Sequence, residues 1–178
     1  MKAESPGPSV SRLVPHVKDT AKILYKIYIF ITVTEIILLC AFGMPLFDSL
    51  TLSFGTVGTG GFGILNSSIA DYSPALQIII TVFMILSGVN YVAYFYLTTK
   101  QIKEIFHVEE IRVYFGVILA SSIFIAFNIR SLYPTLGECF RHAFFQVGSI
   151  ITTTGYATTD FDLWPETSKT ILVLLMFI

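Results

Sequence analysis

The chain has 178 residues, of which 54% are hydrophobic and 13% are charged, and its formal net charge is −1. Soluble globular domains carry about 25% charged residues, so this composition excludes an ordinary soluble domain and predicts a membrane protein. The near-zero net charge gives no basis for nucleic-acid binding, and the two cysteines have no metal-ligand spacing and imply no disulfide framework.

Long stretches without charge predict helices that cross a bilayer. About 20 apolar residues span the hydrocarbon core as a helix. We predict spans at residues 23–42, 74–98 and 112–129, and a partial span at 168–178. The second span contains no charged residue, and Glu35 is the one charge in the middle of the first.

Basic residues lie mainly on one side of these spans. Eight of the 11 Lys and Arg residues fall in segments 1–22 and 99–111 or at the adjoining span ends, whereas residues 43–73 contain none. Cytoplasmic loops carry an excess of Lys and Arg, so the first two segments are predicted to be cytoplasmic. Residues 43–73 and 130–167 are predicted to face outward. The expected location is the cytoplasmic membrane, with several passes.

The two outward connections each contain a short apolar helix followed by a loop. Apolar residues recur at helical spacing over 45–56 and 136–150, which are too short to span a bilayer. The loops that follow are predicted at 57–63 and 151–157. We interpret each short helix as entering the membrane partway, with the loop returning toward the outer side.

The chain is predicted to contain two copies of one unit. Aligning Gly61 with Gly155 gives an offset of 94 residues, which also superimposes the starts of the second spans. Each copy consists of a span, a short helix, a filter-like loop and a span, and the second copy is truncated. The predicted fold class is therefore an all-α membrane protein with units at 23–98 and 112–178.

Residues 58–63, GTGGFG, match a dinucleotide-binding fingerprint letter for letter. That fingerprint requires a preceding strand, a helix opening on the glycines and an acidic residue about 20 positions later. Here a short helix precedes the glycines and no sheet pattern surrounds them. The second copy keeps only a glycine followed by an aromatic residue, so the glycines do not predict a dinucleotide site.

Both loops are rich in threonine and glycine, which suits contact with a cation. Irregular backbone at membrane depth is tolerated where it is buried in protein or lines a water-filled path. Rings of carbonyl oxygens replace the water around a partly dehydrated cation, and glycine reaches the φ > 0 conformations that orient such carbonyls. The short helix would aim its partially negative C-terminal end at the cation. The aromatic residue after each glycine can wedge the loop against surrounding helices.

The stretches FDSLTLSFGTVGTGGFG, FMILSGVNYVAYFYL and FRHAFFQVGSIITTTGYATTDFDLWP closely resemble the TrkH potassium-uptake proteins of the wider Trk/Ktr/HKT superfamily. The resemblance extends over nearly the whole chain from about Ser9. It implies four repeats of span, pore helix, filter loop and span around one pore. Two of the four are expected here, the second and an incomplete third, so the chain is expected to be a fragment of the transporter.

The resemblance implies that Gly61 and Gly155 are filter glycines, expected on the order of 10 Å apart (Cα to Cα) across one axis. Potassium contacts are implied at Thr59, Gly60, Thr153 and Thr154. The residues expected to form the filter are Gly58, Thr59, Gly60, Gly61, Phe62, Thr152, Thr153, Thr154, Gly155 and Tyr156. The resemblance also implies a homodimer and a cytoplasmic nucleotide-binding regulator of the TrkA type. No catalytic motif or cofactor site is visible, so neither an enzyme nor a cofactor is predicted.

Some features keep two interpretations open. Glu35 is either a carboxylic acid hydrogen-bonded to a pore helix or loop backbone, or a cation-attracting or proton-relaying group. The acidic residues after the second loop either concentrate cations at the outer mouth or belong to a solvated loop; they are Asp160, Asp162 and Glu166. For the whole chain, the alternative is a structural or assembly membrane protein whose re-entrant loops only pack.

Overall fold

The structure is a computed structural model that describes residues 17–98 and 108–177. These residues form helices and loops and contain no β-strand, which confirms the predicted all-α class. The helices are α1 Val17–Ala41, α2 Leu46–Val57, α3 Pro74–Ser87, α4 Tyr91–Thr98, α5 Glu109–Asn128, α6 Leu136–Ile151 and α7 Glu166–Leu175. A 3₁₀ turn, Phe161–Leu163, lies between α6 and α7. Most of the predicted cytoplasmic segments, 1–22 and 99–111, falls outside the described residues.

Two helices of the described chain are long and apolar enough to cross a bilayer, α1 over Ala21–Ala41 and α5 over Glu109–Asn128. Both keep large apolar side chains on their outer faces: Phe30 of α1 is 72% exposed and Phe124 of α5 is 52% exposed. A helix that is apolar on its exposed face as well as its packed face suits a lipid environment rather than water.

The helix ends differ from the predicted spans mainly on the charged side. α1 begins at Val17 rather than at residue 23, because the helix continues through turns that contain lysines. Long basic side chains can cover apolar surface while their charged ends reach the headgroup region. α5 begins at Glu109 rather than at residue 112, and two acidic residues occupy its first turn. Acidic side chains there stabilise the partially positive helix N-terminus.

The predicted span over residues 74–98 is not one continuous helix. α3 ends at Ser87 and α4 begins at Tyr91, and the connecting residues make a tight turn. Gly88 caps α3, with its N–H donating to the Met84 carbonyl at 3.0 Å. A Cβ added at Gly88 would lie 2.7 Å from Thr152 Cγ2, so the turn passes too close to the second loop for a side chain.

Tyrosine hydroxyls stabilise this break. The Ile85 carbonyl accepts a hydrogen bond from Tyr114 of α5 at 2.9 Å, and the Leu86 carbonyl accepts one from Tyr94 of α4 at 2.5 Å. A helix break at membrane depth needs such substitute partners for its freed backbone groups. The sequence did not predict the break because one of the donors lies 29 residues away, on another helix.

The apolar core of the first unit is completed by residues of the second. Leu39, Leu52 and Ile80 of α1, α2 and α3 form this core together with Phe145 of α6 and Tyr156 of the second loop. All five side chains are fully buried. A separate core joins α5, α6 and α7. Because two side chains of the second unit fill the core of the first, the packing also fixes the two loops relative to each other.

Candidate ion-filter site

The first loop folds back onto the C-terminal end of α2. The N–H groups of Gly60 and Gly61 both donate to the Gly55 carbonyl, at 2.8 and 3.3 Å. Thr59 and Gly61 have φ of 49° and 66°. This conformation has no steric cost for glycine but strains a threonine. The hydrogen bond from the Thr59 N–H to the Thr56 carbonyl, at 3.1 Å, helps to hold it.

The second loop repeats this geometry 94 residues later. The N–H groups of Thr154 and Gly155 both donate to the Ser149 carbonyl, at 2.9 and 3.3 Å. Thr153 and Gly155 have φ of 58° and 87°. The two loops therefore share one backbone path, including a left-handed threonine two positions before a left-handed glycine.

The two loops are in direct contact. A Cβ added at Gly61 would overlap the Thr154 carbonyl oxygen and would lie 3.5 Å from the Gly155 carbonyl carbon. Since the bonds that link these positions to the Cα atoms are about 1.5 Å long, the Cα atoms of Gly61 and Gly155 lie within about 7 Å. The glycines are thus closer than the expected separation on the order of 10 Å.

Four consecutive carbonyl groups in each loop, those of residues 58–61 and 152–155, have no donor in the described part of the chain. Within residues 17–98 and 108–177, no N–H or side-chain donor bonds to a backbone carbonyl of residues 58–61 or 152–155. The N–H groups of these residues instead turn back onto the helix ends. An unpaired carbonyl at membrane depth is costly unless water or a cation meets it. The loops therefore have the oxygen atoms that a dehydrated cation needs.

An open cavity of about 220 Å³ lies beside the second loop. It is lined by Ser149, Ile150, Thr153, Gly155 and Met176. Met176 comes directly after α7, so the last helix brings its end close to the loop. A water molecule occupies about 30 Å³ in the liquid, so the cavity has room for several waters or a partly hydrated ion.

The aromatic residues after the two glycines have different environments. Tyr156 is fully buried, and its hydroxyl lies 3.3 Å from the Leu52 carbonyl and 3.2 Å from the Phe62 carbonyl. Phe62 is 77% exposed. The wedging role expected for both residues fits Tyr156, whereas the Phe62 ring packs against little of the described chain.

Two hydrogen bonds that the sequence did not predict join the last residue of the second loop to the first unit. The Ala157 N–H donates to Ser68 Oγ at 3.1 Å, and the Ile69 N–H donates to the Ala157 carbonyl at 3.0 Å. The partners are 88 and 89 residues apart in the chain, and no local motif marks them. These bonds hold the end of the second loop against the segment that follows the first loop.

A buried histidine lies beside the segment that follows the second loop. His142 stacks on Tyr133, with ring centroids 4.8 Å apart, and its Nδ1 lies 2.9 Å from Thr158 Oγ1. The Arg141 guanidinium donates to His142 Nε2 at 3.3 Å. Nε2 is then an acceptor, so Nδ1–H is the donor to Thr158. Burial lowers the pKa of His142, Arg141 lowers it further, and Glu138 acts in the opposite direction.

The acidic residues after the second loop have local partners. Glu166 pairs with Lys169 at 2.7 Å, and the Asp160 carboxylate accepts a hydrogen bond from the Asp162 N–H at 3.0 Å. Lys169 Nζ also donates to the Asp162 carbonyl at 3.3 Å. These contacts stabilise the 3₁₀ turn and the start of α7. They support the interpretation in which Asp160 and Glu166 belong to a solvated loop.

Glu35 lies behind the first loop rather than in it. Its side chain is fully buried on α1, next to the Thr56 hydroxyl of α2 and near Tyr156. Among the described residues, neither carboxyl oxygen completes a hydrogen bond. The carboxyl group therefore faces protein, as expected for an acidic residue in a span.

The sequence profile of TrkH, described as a cation transport protein, matches residues 10–178. The chain belongs to the TrkH family. This membership confirms the resemblance inferred from the loop sequences. It places the chain in a family of membrane-embedded transporters rather than in an enzyme class.

Curated TrkH-family relatives match almost the whole chain. The Trk system potassium uptake protein TrkH of Salmonella typhimurium is 33% identical over 182 residues, which is 99% of this chain and 38% of the relative. TrkH of Halomonas elongata is 34% identical over 184 residues, again 99% and 38%. TrkG of Escherichia coli K12 is 31% identical over 180 residues, 98% of this chain and 37% of TrkG. The chain thus spans less than two fifths of the length of these relatives.

A solved structure has the same TrkH fold. The crystal structure of the potassium transporter TrkH from Vibrio parahaemolyticus superimposes with a TM-score of 0.84 at 27% identity. The match includes 93% of this chain and 37% of that chain. The arrangement of α1 to α7 is therefore that of a segment of the TrkH fold.

Proposed function

We propose that this chain supplies two neighbouring quarters of the selectivity filter of a potassium uptake protein in the cytoplasmic membrane. The observation that carries the proposal is the contact between two loops of similar backbone path, whose carbonyls at 58–61 and 152–155 have no donor among the described residues. The proposal agrees with the curated relatives, which are named as Trk system potassium uptake proteins. The remaining quarters of the filter would come from residues outside this chain.

In the proposed mechanism, loop oxygens replace the water of an entering potassium ion. Thr59, Gly60, Thr153 and Thr154 are the proposed contact residues. Each lies in or beside a left-handed turn that sends the N–H groups back to the helix and leaves the carbonyls free. The C-terminal ends of α2 and α6 lead into these loops, and their partial negative charge favours a cation.

We further propose the orientation and partners of the complete transporter. The side that contains the N-terminal segment and residues 99–111 is proposed to be cytoplasmic, on the distribution of basic residues. A homodimer and a cytoplasmic nucleotide-binding regulator of the TrkA type are proposed from the family resemblance. Potassium is the transported substrate in this proposal.

Two glycines with matched geometry test the filter assignment. Gly155 has φ +87° and Gly43 has φ +91°, and a Cβ added at either would meet nothing within 4 Å. Valine at either site is strained by about 1–3 kcal/mol. In a full-length transporter that contains these residues, Gly155→Val should abolish rubidium uptake, whereas Gly43→Val should leave most of it.

The amount of transporter in the membrane is measured for both variants, so that failed insertion is recognised. Uptake at the wild-type rate by Gly155→Val would reject the second loop as part of the filter. The alternative, a structural protein with re-entrant packing loops, would then explain the loop geometry better.

A further inference from the structure

The carbonyl that follows the filter glycine has a different donor in each unit. In the second unit, the Tyr156 carbonyl accepts a hydrogen bond from Ser149 Oγ of its own pore helix at 2.6 Å. The counterparts 94 residues earlier are the Phe62 carbonyl and Gly55. Because Gly55 has no side chain, the pore helix of the first unit cannot supply the equivalent bond.

The hydroxyl of Tyr156 occupies the place of the missing serine. It lies 3.2 Å from the Phe62 carbonyl, and a Cβ added at Gly55 would overlap the Tyr156 oxygen. A glycine inside a helix costs about 1 kcal/mol relative to alanine, which calls for a packing reason. Making room for the Tyr156 hydroxyl is that reason.

Two carbonyls lie near the Tyr156 hydroxyl, and the Phe62 carbonyl depends on it more than the Leu52 carbonyl does. The Leu52 carbonyl, 3.3 Å from the Tyr156 hydroxyl, already accepts a hydrogen bond from Thr56 Oγ1 at 2.8 Å. Within residues 17–98 and 108–177, the Tyr156 hydroxyl is the sole donor to the Phe62 carbonyl. Loss of the hydroxyl would therefore leave that carbonyl without a donor.

We propose that Tyr156, which belongs to the second unit, is a positioning residue for the first filter loop. By fixing the Phe62 carbonyl, the Tyr156 hydroxyl fixes the peptide between Phe62 and Gly63. That peptide ends the filter segment and so limits the directions available to the loop carbonyls before it. The second loop is set by its own pore helix through Ser149. The proposal rests on the proposed filter function and adds that the first loop depends on the second unit for its geometry.

The first experiment removes the hydroxyl alone. In a full-length transporter that contains these residues, Tyr156→Phe should weaken discrimination of rubidium against sodium by about tenfold, the effect of one lost hydrogen bond to a partly buried carbonyl. Tyr133→Phe is the matched control. The Tyr133 hydroxyl also makes side-chain hydrogen bonds, to Thr159 and Trp164, but it does not touch a filter loop. The control should retain wild-type selectivity.

The second experiment restores the missing serine. Gly55→Ser alone should impair selectivity, because its Cβ overlaps the Tyr156 hydroxyl. In the double variant Gly55→Ser/Tyr156→Phe the overlapping oxygen is gone. The new Cβ lies 3.1 Å from the Phe62 carbonyl oxygen and 3.3 Å from the ring carbon that held the hydroxyl. These contacts need shifts of a few tenths of an ångström, after which the serine hydroxyl can donate as Ser149 does.

Recovery of selectivity in the double variant supports the proposal if Gly55→Ala/Tyr156→Phe, which relieves the same overlap but has no hydroxyl to donate, stays defective. Wild-type selectivity in Tyr156→Phe would overturn the proposal. A defective Gly55→Ser/Tyr156→Phe variant that is present in the membrane at wild-type amounts would overturn it as well. Failure of the filter function itself would appear separately, as wild-type uptake by Gly155→Val.

Discussion

Gly61 lies directly against the carbonyl oxygen of Thr154, in the other copy of the repeated unit. A Cβ at Gly61 would overlap that oxygen and would lie 2.9 Å from the carbonyl carbon. The approach leaves only the Cα–H of Gly61 facing the oxygen, a weak but recurrent contact between closely packed backbones. The absence of a side chain at Gly61 is therefore required by the other loop as well as by its own φ of +66°.

Alanine substitutions should separate these two requirements. In Gly61→Ala, the new Cβ is strained by the left-handed backbone and also overlaps the Thr154 carbonyl. In Gly155→Ala, the backbone is also left-handed, but the new Cβ has open space around it. We expect Gly61→Ala to abolish rubidium uptake in a full-length transporter that contains these residues, and Gly155→Ala to retain part of it. The strain at Gly155 is about 1–3 kcal/mol. Equal uptake by the two variants would contradict the close contact between the loops.

Cysteine labelling should establish the orientation of the chain. Ser67 is exposed in the predicted outer connection, and Lys103 lies in the predicted cytoplasmic linker. In a background in which Cys40 and Cys139 are replaced, a membrane-impermeant maleimide added to intact cells should label Ser67→Cys. It should label Lys103→Cys only after the cells are opened. The reverse pattern would invert the topology inferred from the basic residues.

The stability of the transporter should fall at acidic pH partly because of His142. Its pKa is lowered in the folded state, first by burial and then by the Arg141 charge, so the unfolded chain binds a proton at higher pH. The contribution of neutral His142 is present above the ordinary histidine pKa of about 6.5 and is lost as the pH falls below it. The other groups near the ring are Glu138, which opposes the shift, and Tyr133, which stacks on it.

Replacement of His142 by asparagine tests this pH dependence. Asparagine does not titrate, and its amide can still donate to Thr158. The melting temperature of His142→Asn should fall less than that of the wild type between about pH 7 and about pH 5. Parallel losses in the two proteins would show that other groups cause the acid sensitivity.

Glu35 is fully buried beside the Thr56 hydroxyl, so its charge and its packing can be tested separately. The Thr56 hydroxyl next to it donates to the Leu52 carbonyl at 2.8 Å, so Thr56 offers Glu35 a lone pair rather than a proton. Glutamine keeps the size and the polar atoms of Glu35 but carries no charge. We expect Glu35→Gln to retain rubidium uptake. Glu35→Leu removes two buried oxygens that have no hydrogen-bond partner among the described residues, so it should change the stability of the transporter by no more than about 1 kcal/mol.

The two Glu35 variants also decide between the interpretations left open by the sequence. Rubidium uptake and melting temperature are measured on the same purified preparations and membranes. Loss of uptake in Glu35→Gln at unchanged stability would favour the cation-attracting or proton-relaying role.

The sequence alone determined the class of this protein and its repeated pattern. Charge-free stretches of spanning length and the one-sided basic residues predict membrane helices and their orientation, because lipid excludes charge along a local segment of chain. The all-α membrane class was predicted in this way, and the TrkH family was predicted from the resemblance of the loop and span sequences. The short helix at 46–57 is shifted by one residue from the predicted 45–56, and the helix at 136–151 ends one residue after the predicted 136–150. The agreement is close because apolar periodicity and glycine position are local properties.

The tertiary structure decided how the two units depend on each other. The break between Ser87 and Tyr91 rests on tyrosine hydroxyls, one of them from another helix, and the fit of Gly61 against Thr154 rests on a backbone 93 residues away. Alignment of the two loop sequences likewise does not predict that Tyr156 is buried and Phe62 is exposed. Local sequence specifies which conformations a backbone can adopt, but the partners of its polar groups depend on packing between distant segments, and that packing determines the differences between the two copies.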